Sequence, residues 1–243
     1  SYEQVCNFDA GITRISETSA TANTIDVKSG SVQDKVDGTG ARSVFISGVD
    51  INGRYFAETI VPTGTTEAVS IKPNIANINE AYARSWGSGK TTAGAIAIDS
   101  VTGSDTLGLI EAGLVGIQNC FWHVPIHATA YVKGYWFHVV PVGTAIGAVQ
   151  FAMQHALYGG SGVPASETFL TFSEHEYVEA DSDLDRTTGG LGSPPGFHNF
   201  PGRGFPLYGN EMVMLSAKQA SGSSAVSGGF IIEVEGSGAQ GRG

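Results

Sequence analysis

Apolar and polar residues alternate along most of the chain in short runs that end at glycine, proline or asparagine. From residue 43 onward these runs recur about every 8–12 residues, which is the spacing of antiparallel sandwiches and barrels. The runs read SVFISGVD, RYFAETIVP, TEAVSI, INEAYARSW, AGAIAIDSV, DTLGLIEAG and IQNCFWHVP. No long pattern of helical period interrupts them. The alternation therefore predicts an all-β fold, an antiparallel β-sandwich.

The longest predicted strand is ATAYVKGYWFHVVPV. Regular alternation places Tyr131, Tyr135 and Phe137 on one face, and it places Val132 and Trp136 on the other. Because both faces are apolar, this strand is predicted to be central in its sheet, with Trp136 in the core.

Three segments depart from the pattern. Residues 1–40 are polar and have too few apolar positions for a core of their own, so we expect an N-terminal arm or an edge hairpin. Residues 181–209 hold four of the nine prolines, which predicts a long Pro/Gly-rich loop. This loop is expected to be an insertion in a sandwich domain of residues 41–235. Residues 236–243 form a Gly/Ser tail.

Composition supports strands and turns over helices. Charged residues make up 15% of the chain, 34 of its 243 residues are glycine, and no leucine precedes Leu107. The net charge is −10. Because no basic stripe is present, neither nucleic acid nor an anionic membrane surface is expected as a partner. No apolar leader and no run of about 18 apolar residues occurs, so we expect synthesis in a cytoplasm.

Several short motifs suggest chemistry, and each lacks a required part. WGSGKTT has Arg84 where a phosphate-binding loop needs its first glycine, and a strand pattern follows it. HEYVE has Glu179 in place of the second zinc-binding histidine. His123 and His127 would lie about 13 Å apart on an extended chain. No G-x-S-x-G elbow occurs. We therefore predict no catalytic residue, no cofactor and no enzymatic activity.

Cys6 and Cys120 are far apart in the chain, and their spacing does not indicate a bridge. Both are predicted to be free thiols.

An acidic stretch precedes the predicted loop. Seven acidic residues lie between positions 167 and 185, without any lysine or arginine. Asp181, Asp183 and Asp185 resemble the opening of a calcium loop, but the sixth position is arginine in place of the required glycine. Close carboxylates repel by about 1 kcal/mol per pair in water. We therefore expect them to contact basic groups of a partner, with a calcium ion as the alternative.

Between Ala41 and Ile98 four motifs follow one another in a fixed order. They are V-x-I-x-G-x-D at Val44–Asp50, an E-T…G-T-T hairpin at Glu58–Thr66, I-N-x-A-Y at Ile78–Tyr82 and A-G-x-I at Ala93–Ile96. This order resembles that of jelly-roll-like structural proteins of tailed phages, especially marine ones. The similarity covers roughly 190 residues loosely, through LIEAGLVGIQNCFWHVPIHATAYVKGYWF to the closing VSGGFIIEVE.

The resemblance implies a jelly-roll-like virion component, either a capsid decoration or spike subunit or a part of the tail. It would be made in the host cytoplasm, whose reducing conditions suit free thiols. Its partners would be other virion proteins and copies of itself. The arm and the loop would be its docking elements. The interface candidates are Asp181, Asp183, Asp185, Pro194, Pro195, Phe197 and Phe200.

Two other classes of function stay open. A receptor- or glycan-binding module of a phage appendage would stack exposed aromatic rings on sugars. Trp86, at a predicted turn, and Tyr208 are its candidates, whereas Trp122 and Trp136 are expected in the core. The third class is a carbohydrate-active enzyme on a jelly-roll scaffold, since a fold alone does not fix a function.

Overall fold

The computed structural model describes residues 3–4, 24–101, 106–117, 120–141, 148–157, 170–177, 196–221 and 224–236. The strands in chain order are β1 (Glu3–Gln4), β2 (Ile25–Ser29), β3 (Ala41–Asp50), β4 (Tyr55–Ile60), β5 (Ala68–Val69), β6 (Ile75–Trp86), β7 (Ile96–Ser100), β8 (Thr106–Ile110), β9 (Phe121–His123), β10 (Ala128–Pro141), β11 (Ala148–Leu157), β12 (Leu170–Tyr177), β13 (Gly196–Asn199), β14 (Phe205–Leu207), β15 (Glu211–Ser221) and β16 (Ser224–Gly236).

All regular structure in these ranges is β, and the strands pair antiparallel. The predicted all-β antiparallel sandwich class is therefore confirmed. No helix in the part of the chain that the structure describes has the length and apolarity to cross a membrane.

Two sheets enclose a first core. One sheet has the strand order β5-β2-β7-β8 and the other β4-β3-β6. Isoleucine and valine alternate along these strands, and their inward side chains, such as Ile46, Ile75 and Ile96, are fully buried. Side chains from both sheets join in one apolar cluster, so the described residues between 25 and 117 form a sandwich.

Two further sheets enclose a second core. One has the order β1-β15-β11-β12, with β9 also paired to β15; the other, which we name the β10 sheet, consists of β13, β10, β14 and β16. Phe137 from the β10 sheet stacks on Phe151 from the opposite sheet with ring centroids 4.7 Å apart. The second core therefore has its own aromatic centre.

A buried junction connects the two cores. Asn79 from β6 binds the backbone of β9: its Nδ2 donates to the His123 carbonyl at 2.8 Å, and the His123 amide donates to its Oδ1 at 2.9 Å. The His123 ring, which is fully buried, also lies 2.9 Å from the side-chain nitrogen of Asn77. Phe121 adds an apolar contact beside this network.

β10 is central, as predicted, because it pairs with β16 on one side and with β13 and β14 on the other. Its alternation is interrupted by a bulge. Val132 pairs with Ile232 and Gly134 with Ile231, so Lys133 is an extra residue. A one-residue insertion exchanges the two faces of a strand beyond it.

The predicted faces of β10 are wrong as a result. Val132 joins Tyr135 and Phe137 in the second core. Trp136, expected in the core, is 40% exposed on the outer surface. Tyr131, expected beside Tyr135, carries cationic side chains over its ring instead.

Two segments predicted to lie outside the sandwich contain strands. Ile25 and Val27 of β2 are buried in the first core, so residues 25–29 form a core strand where an arm was expected. β13 and β14 lie within the predicted loop and pair with β10. The remaining boundaries of the arm, loop and tail stay predictions, because the structure does not describe residues 5–23, 178–195 and 237–243.

Candidate functional site

Most of the predicted interface residues lie outside the described residues. These are Asp181, Asp183, Asp185, Pro194 and Pro195. In the described ranges no group of three His, Cys, Asp or Glu residues is arranged to hold a metal ion. The calcium alternative at the three aspartates stays a prediction.

The two remaining interface candidates have different surroundings. Phe197 on β13 is 51% exposed. Phe200 packs against the second core, where its ring contacts Tyr135, His198 and Phe205. Of these two described candidates, Phe197 therefore offers the larger apolar surface to a partner.

The two predicted glycan-stacking residues do not form one site. Trp86 is the last residue of β6, in the first sandwich. Tyr208 lies just before β15, in the second. The turn after Tyr208 contacts the sheet that contains β6 at the end away from Trp86, because Asn210 lies against Gly53 there. About 35 Å of strand separates that end from Trp86.

Three large apolar side chains share the outer surface of the β10 sheet. Trp136, Phe197 and Ile231 are 40%, 51% and 49% exposed. Trp136 and Phe197 pair across β10 and β13, while Ile231 on β16 pairs with the residue two before Trp136. We name these three side chains the aromatic face.

A glycine sets the orientation of the indole. A Cβ added to Gly229, which pairs with Trp136 across β16, would lie only 2.7 Å from the indole Nε1 and 3.0 Å from Cε2. The Trp136 ring therefore leans over β16, on the side away from Phe197. Neither Trp136 nor Phe197 makes a ring contact with another described residue.

Charged side chains at one end of the aromatic face neutralise each other. Lys133 Nζ lies 2.6 Å from a carboxylate oxygen of Glu233, and Arg203 Nη2 lies 3.0 Å from one of Glu235. Both cations also stand over the Tyr131 ring, at 5.7 and 5.1 Å from its centroid. The hydrogen bond and charge of Lys133 lower the pKa of Glu233. This end of the face is therefore polar and has no net charge.

The predicted phosphate-loop mimic is a turn whose amides are already used. The Gly87 and Gly89 amides each donate at 2.8 Å, to the carbonyls of Gly40 and Thr39. The chain continues into strand β7 rather than a helix. Amides that bond to backbone carbonyls are not free to hold a phosphate.

The histidines of the two motifs lie in different surroundings. His175 belongs to strand β12, so the first three residues of HEYVE, which are the part that the structure describes, lie on a strand and not on a helix. His123 is buried at the junction, whereas His127 is exposed in the following turn. The pair does not converge on one site.

Sequence reasoning missed a buried carboxylate, Asp34. Its Oδ1 accepts hydrogen bonds from the amides of Ala41 and Ala93 at 2.6 and 2.9 Å. Its Oδ2 accepts from Ser29 Oγ and the Gly94 amide at 2.6 and 2.9 Å. The four hydrogen bonds satisfy both carboxylate oxygens of this fully buried side chain. Asp34 therefore holds together the segments of the first sandwich that carry these four donors. Two of its partners are about sixty positions away, and no local pattern could have revealed them.

A second carboxylate is buried without such support. Asp26 is 6% exposed and pairs across the sheet with Asp99. Burial is the largest cause that raises the pKa of Asp26, followed by the negative charges of Glu67 and Asp99, while Lys28 opposes them.

Comparisons with protein-family models, with curated proteins and with solved structures give no match for this chain. The resemblance to phage structural proteins therefore rests on motif order, and the function is argued from that order and from the geometry.

Proposed function

We propose that the chain is a structural protein of a phage particle, either a capsid decoration or spike subunit or a component of the tail. It assembles with other virion proteins and with copies of itself after synthesis in the host cytoplasm. Its role is to bind neighbouring chains rather than to catalyse a reaction.

The observation that carries this proposal is where the four motifs of the resemblance fall. Val44–Asp50 lies in β3, Glu58–Thr66 begins at the end of β4, Ile78–Tyr82 lies in β6, and Ala93–Ile96 leads into β7. β3 pairs directly with both β4 and β6. Apolar residues of all four motifs pack in the first core. The motifs thus belong to one sandwich, which a shared structural unit requires.

Exposed apolar turns in the first sandwich also support a role in assembly. Val32, Val36 and Val61 are exposed. The bridge between Lys35 and Thr63 brings their two segments side by side. Apolar side chains grouped on a surface mark sites of protein contact. These turns are suited to form one part of a larger contact with a neighbouring virion protein.

The test is to follow the chain into particles. Quantitative mass spectrometry of gradient-purified particles whose genome encodes this chain should detect it at a fixed ratio to the main shell or tail protein. A chain that carries Val32→Asp and Val36→Asp should enter particles less often, whereas Thr39→Asp, at an exposed position of the same segment, should not change incorporation. Recovery of the chain only from the soluble fraction would refute the proposal.

A further inference from the structure

The size of the aromatic face limits what it can bind. At roughly 200 Å² for a large side chain, the exposed fractions of 40%, 51% and 49% leave about 300 Å² of apolar surface. A stable protein interface buries about 800 Å² on each partner. The aromatic face alone is therefore too small for such an interface, and its area suits a ligand of a few rings.

The shape of the face favours a flat ligand. Gly229 leaves room for the Trp136 indole to lie over β16, because glycine has no side chain that would block the ring there. Phe197 lies on the neighbouring strand, and strands are about 4.8 Å apart. Because neither ring is stacked on another described residue, each has a face available for stacking.

Charge decides between the two common classes of stacking ligand, nucleobases and sugars. Nucleic acid needs unpaired cations for its phosphates. Among the described residues, the cations beside the face, Lys133 and Arg203, are already paired with Glu233 and Glu235, and the chain carries a net charge of −10. A neutral ligand avoids this repulsion.

A neutral sugar satisfies all three constraints. The C–H groups on one side of a pyranose are slightly positive, and the faces of aromatic rings are negative. The sugar hydroxyls can bond to the polar end of the face, where Glu233 and Lys133 are partly exposed. Asn199, exposed on β13 next to this end, adds an amide.

We propose that the aromatic face binds a neutral saccharide, in which sugar rings stack on Trp136 and Phe197 beside Ile231. The ligand class is an oligosaccharide of equatorially linked pyranoses, whose rings present a flat C–H side. This inference goes beyond the proposed function and does not depend on where the chain sits in a particle. It assigns to Trp136 the stacking role that the sequence suggested for Trp86 and Tyr208.

The test uses the whole chain with cellohexaose and chitohexaose as neutral probes and a heparin hexasaccharide as the anionic one. Binding is followed by NMR line broadening of the sugar and by tryptophan fluorescence. An open surface encloses little of its ligand, so we expect a Kd on the order of 0.1–1 mM for a neutral probe. The anionic probe should bind at least about tenfold more weakly.

Substitutions locate the site. Trp136→Ala and Phe197→Ala should each weaken binding about tenfold or more. Trp86→Ala is the matched control, because Trp86 is 41% exposed but pairs across its sheet with Ala41 rather than with an aromatic residue. It should leave the Kd unchanged. Gly229→Ala should weaken binding while both rings remain, because its Cβ displaces the indole.

Three results would overturn the proposal. The first is no saturable binding of either neutral probe. The second is equal loss of binding in Trp86→Ala and Trp136→Ala. The third is a fall in oligomer size on sedimentation of Trp136→Ala, with circular dichroism unchanged, since the aromatic face would then be a contact between protein chains.

Discussion

Replacing Asp34 with asparagine changes one atom of a fully buried side chain and tests how the first sandwich is held together. The aspartate accepts four hydrogen bonds, two on each oxygen. Asparagine keeps one oxygen for the amides of Ala41 and Ala93. Its new NH2 group faces Ser29 Oγ and the Gly94 amide, which are both donors.

The expected loss in the free energy of unfolding follows from these four hydrogen bonds. The Gly94 amide loses its partner, and a buried unpaired donor costs about 1–3 kcal/mol. The Ser29 hydroxyl can rotate and accept from the new NH2, so its loss is small. The two bonds that remain lose their charge, and neutral hydrogen bonds are roughly half as strong as charged ones. We expect Asp34→Asn to lower the free energy of unfolding by about 3 kcal/mol.

Urea unfolding followed by circular dichroism measures this change. Asp37→Asn is the matched control, because it removes the same charge three positions away from an exposed side chain. The control should change the free energy of unfolding by about 0.5 kcal/mol or less. If Asp34→Asn and Asp37→Asn unfold at the same urea concentration with equal slopes, the four hydrogen bonds do not stabilise the fold and the reasoning is wrong.

Three further predictions concern burial and charge. Asp26→Asn should raise the melting temperature at pH 7, because the raised pKa of Asp26 means that its ionised form costs free energy in the folded state. The cost of ionised Asp26 should disappear as the pH falls through that pKa, so the advantage of Asn over the wild-type protein should shrink there; a constant advantage would contradict this. Phe137→Ala should cost about 3–5 kcal/mol in urea unfolding, since its ring stacks on Phe151 in the second core; a cost under about 1 kcal/mol would contradict the packing. Asp183→Asn with Asp185→Asn should weaken self-association in light scattering if these side chains contact basic partner groups, and EDTA should lower the melting temperature only if calcium is bound instead; no change in either measurement would leave them as a solvated surface.

The alternation of the chain was enough to predict the strand-rich class and most strand positions. SVFISGVD, INEAYARSW and VSGGFIIEVE all lie in strands that the structure contains. Val149, Phe151 and Met153 alternate toward one side of β11 and are buried. Such local patterns are visible because a strand places every second side chain on the same face.

What alternation could not predict depends on contacts between distant residues. Alternation alone does not reveal the bulge at Lys133, although a glycine inside a strand pattern, here Gly134, is a local sign of one. The bulge moves Trp136 from the expected core to the surface. The Gly229 that accommodates its ring lies more than ninety positions away. β2 looked like part of an arm because its apolar residues are few, but pairing with β5 and β7 buries them. The aromatic face was hidden from sequence reasoning for the same reason.

Electron cryo-microscopy of particles whose genome encodes this chain tests the proposed function most directly. The account predicts density for two adjacent β-sandwiches, repeated with the symmetry of the head or of the tail, into which the two cores built by the described residues fit side by side. A particle map in which every protein density is assigned to other chains would contradict it.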